Sequence, residues 1–245
     1  MIKHIHAMIW KEWKEIVLQR DRSRKDAVAR AIVAAAVFGI LVWRVGLAFV
    51  DRPSLLLMPA FILVFCVIAI VADSFAGERE RHTLETLLAS RLSDEAILFG
   101  KIGSAVLLVW GLMFVMLILG IAGINLVRAS DGVLIFPLHR IVSVLGFAFL
   151  VCLFVSCIGV FVSLRASTVR QAMQILNIGF MVFGFAGLYG SVSLPQEWRL
   201  KVAQAVTGDN LMPTESIAAL FLIAVDLTLL AGARLSFRRQ SLSLD

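Results

Sequence analysis

Charge is what this chain has least of. Of its 245 residues only 16% are Asp, Glu, Lys or Arg, against 60% hydrophobic, which is too little polar surface to cover a soluble domain of this size. A mean hydropathy of +0.93 points the same way, to a polytopic, all-α membrane protein. Histidine is scarce too: His4, His6, His82 and His139 are scattered, and His4 and His6, at i and i+2, cannot face one another on a helix. The three cysteines, Cys66, Cys152 and Cys157, lie inside apolar runs with no CxxC spacing, so neither a disulfide nor a metal site is expected. No HExxH or GxSxG occurs, which leaves a membrane protease or lipid hydrolase without an acid, base or nucleophile set. Gly100 and Lys101 are followed by Ile102 and lack the earlier glycine of a phosphate-binding loop, so the chain is not expected to bind ATP itself. The first thirty residues hold no continuous apolar core, and a cleavable signal peptide is not expected. The net charge of +6 is spread along connecting segments rather than gathered on one face, which speaks for membrane topology and against nucleic acid.

What the chain does have is long apolar runs. A span needs ~20 such residues, and six runs qualify: 31–50, 54–72, 102–127, 141–164, 171–196 and 216–233, the first interrupted by Arg44 and the last by Asp226. With six spans the connections alternate between the two faces. One face then collects 17 of the basic residues and the other 6, so the positive-inside rule places both termini and the 73–101 connection in the cytoplasm. Before the first span, Ile5, Ile9, Trp13 and Ile16 fall on one helical face, with Lys11, Lys14 and Glu15 elsewhere. That pattern predicts an amphipathic helix within residues 1–26, lying in the membrane interface with Trp10 and Trp13 at headgroup level. Between the last two spans, Pro195 and then Trp198, Val202 and Val206 predict a short outer-face helix within residues 194–213. The whole of 1–245 reads as one transmembrane domain.

The longest charged interior stretch is 73–101. Its acids and bases alternate through Glu78, Arg79, Glu80, Arg81, His82 and Glu85, while Leu84, Leu87 and Leu88 share one face of a short helix. Gly77 is read as a bend, and Ser93 before Asp94 and Glu95 as the N-cap of the next helix. The expected order is membrane helix, bend, short helix, turn, membrane helix. The leucines are expected to be water-exposed unless a partner covers them, which makes this stretch a docking surface; Glu80 is expected to matter little.

At these residues the chain resembles the permease subunits of ABC transporters of the ABC-2 class. The resemblance rests on Gly77, Glu78, Thr83, Leu84, Glu85, Leu87, Leu88, Ile97, Leu98, Gly100 and Lys101, in order and at similar spacing. His82 departs from it, standing where the family often has Gly, and Arg91 where it often has Pro. The resemblance implies six spans with an N-terminal elbow helix, and a cytoplasmic coupling helix in which Glu78, Thr83, Leu84, Glu85, Leu87 and Leu88 meet a separate ATPase subunit. It implies a second permease copy, ATP and Mg bound by the partner ATPase rather than by this chain, export across the plasma membrane, and a translocation path at the dimer axis.

Five residues are candidates for that path. Asp226 fits a polar lining, a structural partner of Arg30 or Arg170, or a carboxyl protonated near the inner leaflet; an intramembrane carboxylate usually has a task or a partner. Arg44 fits either an anionic substrate or snorkelling to the outer headgroups. On the fifth span Phe183 and Tyr189 lie among Gly179, Gly184, Gly187 and Gly190, which suits either helix packing or an aromatic wall, with Asn177 as a polar contact. A gradient-driven carrier is the alternative reading, though such proteins usually show inverted repeats or several intramembrane charges; a membrane enzyme is a weaker one.

Overall fold

A computed structural model describes residues 2–18, 33, 58–90, 92–127, 138–193, 195–197 and 211–236. All regular structure among them is helical. In chain order the elements are α1 (Ile2–Leu18), α2 (Met58–Glu80), α3 (Leu84–Leu88), α4 (Asp94–Val127), α5 (Leu138–Arg165), α6 (Val169–Ser193) and α7 (Leu211–Ser236). Five of the six apolar runs thus become the bodies of α2, α4, α5, α6 and α7. The run at 31–50, apart from Val33, and with it Arg44, lies outside the described residues, as do Arg30 and most of 194–213. Among the described residues, two stretches are long and apolar enough throughout to cross a membrane, Asp94–Gly123 in α4 and Ile141–Arg165 in α5.

α5 is the centre of the bundle: it packs against α2, α4, α6 and α7, while α2 also meets α4 and α6. The core between them is built from small and β-branched side chains, with Val64, Val67, Val71 and Ala72 of α2 facing Cys157 and Val160 of α5 and Val109 and Met113 of α4 in one buried cluster. Such residues let helices approach closely. Gly159 shows how closely, since a Cβ there would meet Val71 Cγ1 at 2.6 Å. Where larger rings enter the seams they lock them. Trp110 on α4 donates its indole N–H to the Leu145 carbonyl of α5 at 2.9 Å and stands edge-on to Phe149, and Phe65 of α2 stands edge-on to Phe180 of α6.

α1 lies along the start of α4. Its buried face is set by Met8, which seats over Gly100, and Ile9, which seats over Gly103; Trp13 donates to the Ser104 carbonyl at 3.2 Å. His4, His6, Trp10 and Lys14 point outward. α1 falls within the 1–26 stretch read as an amphipathic helix. Its partner is the glycine-bearing face of α4.

Candidate functional site

The site is built where α2 runs on beyond its apolar portion. The bend expected at Gly77 does not occur there: the helix continues through it to Glu80. Gly77 instead makes room, because the Asp73 carboxyl lies where a Cβ would stand, and from that position both Asp73 oxygens accept from Arg81 at 2.9 Å. The break comes at His82, whose φ of 56° is left-handed. Around it the Thr83 N–H bonds the Glu78 carbonyl at 2.9 Å and the His82 N–H bonds the Arg79 carbonyl at 3.1 Å. These two bonds make a Schellman motif, with His82 at the position that ordinarily takes glycine. The departure from the family pattern noted at His82 therefore falls where the backbone needs positive φ, a conformation that histidine tolerates better than most residues.

α3 follows as a single turn. Its leucine face is turned inward: Leu87 is 8% exposed and belongs to the main core, with Leu84 half-buried against it. This corrects the expectation that these side chains await a partner groove, at least for Leu84 and Leu87; nothing is described of the Leu88 side chain. The chain covers its own apolar face, because α3 folds back beneath α2 rather than projecting from it. Left facing outward are His82, Thr83, Glu85, Thr86 and Ala89. Ser93 then caps α4 as expected, its Oγ accepting the Ala96 N–H at 3.3 Å, with Asp94 and Glu95 in the first turn.

Beneath α3 lies a buried charge cluster that spacing alone did not reveal. Lys101 is 2% exposed. Its Nζ donates to the Ser74 carbonyl at 2.7 Å, to Glu12 Oε1 at 2.9 Å and to Glu78 Oε1 at 3.4 Å, and lies 5.2 Å from the Phe75 ring centroid. Lys11 reaches Glu78 Oε1 at 3.2 Å and Glu12 Oε1 at 3.9 Å. Two acids and two bases so close a neutral ring joining α1, α2 and α4, and Thr83 Oγ1 adds a hydrogen bond to Glu78 Oε2 from the entrance of α3. Burial alone would push the Glu78 carboxyl up; Lys101, Thr83 and Lys11 outweigh it and hold it below the ordinary carboxylate value. Glu78 was expected to reach a partner's groove rim. It is instead an internal group.

The residues after Glu78 each tie a different element. The Arg79 guanidinium donates to the Leu164 carbonyl at 2.8 Å and to the Ala166 carbonyl, satisfying the C-terminal end of α5. Glu80 Oε1 accepts the Val169 N–H at 2.9 Å at the first residue of α6. That gives Glu80 a bond to lose. Deeper in, the Ser163 hydroxyl of α5 enters the backbone ladder of α2, accepting from Phe75 N–H at 3.1 Å and Ala76 N–H at 3.0 Å and donating to the Ala72 carbonyl at 3.0 Å. The C-terminal end of α2 is thus fastened to α1, α4, α5 and α6 by side chains from Glu78 to Glu80 and by the Ser163 hydroxyl.

The residues considered for a path are not gathered into one site. Phe183 and Tyr189 are 75% and 77% exposed on α6, Asn177 is half-buried, and added Cβ atoms at Gly179, Gly184, Gly187 and Gly190 would meet open space. Asp226 is buried on α7, and Arg170, one of its two suggested partners, is exposed and makes no bond to it. Among the described residues no cluster of His, Cys, Asp and Glu could hold a metal ion.

Against known families, residues 3–204 match the one described as ABC-2 type transporter. No curated protein matches the chain.

Proposed function

The chain belongs to the ABC-2 type transporter family and is a permease component of an ABC transporter, and from that premise we propose that it works as a six-span exporter subunit in the plasma membrane, paired with a second permease and driven by separate ATPase subunits. ATP and Mg bind the ATPase in this reading, and α3 is the coupling helix. The observation that carries it is α3 itself: a single turn held by the chain, with Leu84 and Leu87 turned in and Glu85 and Thr86 turned out. The outward residues are the surface the ATPase meets, with Glu85 suited to a basic rim. Leu84, Leu87, Thr83 and Glu78 pass displacement inward. A change at α3 reaches the rest of the permease only if the partner contacts it differently in two states; the ring at Lys101 and the fastenings of Arg79 and Glu80 carry that difference to α1, α4, α5 and α6 together. The exposed aromatic face of α6, with Phe183, Tyr189 and Asn177, suits the wall of a path between two copies, with Arg44 toward its outer end.

The test separates surface from core. Glu85→Lys and Thr86→Arg should abolish co-purification with the ATPase and leave the thermal stability of the purified chain unchanged. Leu87→Asp should lower stability itself, by burying a charge among apolar neighbours. If both surface variants keep the ATPase and wild-type transport, α3 is not the coupling element.

A further inference from the structure

Asp226 occupies a place in the bundle that the coupling route does not use. It is 2% exposed on α7, and neither of its carboxyl oxygens has a hydrogen-bond partner among the described residues. A second orphan lies in the helix packed against it: Ser156 Oγ on α5 is buried and unpartnered, next to Cys157, which is 0% exposed and interacts with the Asp226 carboxyl. α7 packs along α5, and a Cβ at Gly232 would stand 3.4 Å from Phe161 Cζ.

A carboxylate so placed needs a positive partner or a proton. Among the described residues, the elements packed against α7 supply no cation. On α5 the stretch 141–164 carries only the thiols Cys152 and Cys157, with His139, Arg140 and Arg165 at its ends. On α4 the charged residues are confined to its start, where Lys101 is held by Glu12, Glu78 and the Ser74 carbonyl. Arg234, on α7 itself, is paired with Glu95 of α4. A metal ion is the poorer occupant, since it needs several oxygen ligands and this seam offers one carboxyl and one hydroxyl.

We propose that the seam between α5 and α7 is a proton-binding site, in which Asp226 holds one proton while the seam is closed and gives it to water when the seam opens. Ser156, buried and unpartnered on α5, is a second polar group in the helix that packs against α7. The inference does not rest on the ATPase reading, and its test needs the permease chain alone.

The purified chain should show the infrared carbonyl stretch of a protonated carboxylic acid at neutral pH. Asp226→Asn should lose that band, and Asp226→Glu, which keeps the acid, should shift it. Wild-type thermal stability should fall as pH rises and the proton is withdrawn, and Asp226→Asn should remove that slope. Absence of the band from the wild type, or its persistence unchanged in both variants, overturns the proposal. So does a sodium titration at fixed pH that stabilises the wild type and not Asp226→Asn, which would make the site one for a metal cation.

Discussion

Lys101 illustrates how much one residue can hold. Its ammonium is removed from water and repaid by three acceptors and a ring face, so the pairing is strong only while every member is present. Replacing it by Met would leave Glu12 and Glu78 buried beside one another, and loss of one partner of a buried pair costs about 3–5 kcal/mol. The melting temperature of the detergent-solubilised chain should fall accordingly. Lys11, whose side chain is 41% exposed, should cost only about 0–1 kcal/mol when changed to Met. Because the Glu78 carboxyl is held below its ordinary value of 4.5, its contribution is complete above that pH and is lost as pH falls below it. Lys101→Met should flatten this acid limb, since it removes the first-ranked of the groups that stabilise the ionised form. None of this was legible locally. Lys101 could be seen to stand at the head of an apolar run, but its partner Glu12 is 89 positions away, and no helical period connects them.

At the scale of elements, the seat of α1 on α4 can be tested by crowding it. A Cβ at Gly100 would stand 2.5 Å from Met8 Cγ and 2.6 Å from Met8 Cβ. Gly100→Ala should therefore push α1 outward, and overpacking of this kind costs about 1–3 kcal/mol. Met8→Ala opens a cavity when made alone, yet combined with Gly100→Ala it should cost less than the sum of the two, because each change relieves the other. A double-mutant cycle on thermal stability measures this. Helices of this kind were well marked in the sequence: the apolar runs gave the bodies of α2, α4, α5, α6 and α7, Ser93 gave a cap, and the spacing of Leu84 and Leu87 gave α3 a buried face. The spacing could not say what would cover that face. Amphipathicity fixes that a side is hidden, and only the tertiary path of α2 decides that the chain itself hides it. Gly77 misled for a related reason, since a glycine in a helix also serves to admit a neighbour such as the Asp73 carboxyl.

At the scale of the whole molecule, the number and direction of crossings can be tested directly. The uneven distribution of basic residues predicts that reporter fusions at Arg91 and Asp245 report the cytoplasm and one at Gly132 the outside. A cytoplasmic signal at Gly132 would remove the six-span arrangement while leaving family membership intact. In that arrangement the fastened end of α2 lies at the inner face, where an ATPase could act on it.

The contact between Glu12 and Lys101 also has a history within each round of synthesis. The ribosome makes α1 first and must add 89 more residues before the partner of Glu12 exists. At translation rates of about 5–20 residues per second this is an interval on the order of 5–20 s. Throughout it Met8 and Ile9 have no Gly100 or Gly103 to rest on, and in the proposed membrane arrangement the bilayer surface is where such a helix would wait. The step that ends the wait is the arrival of Lys101, so the start of α4 acts as the clasp that closes on α1.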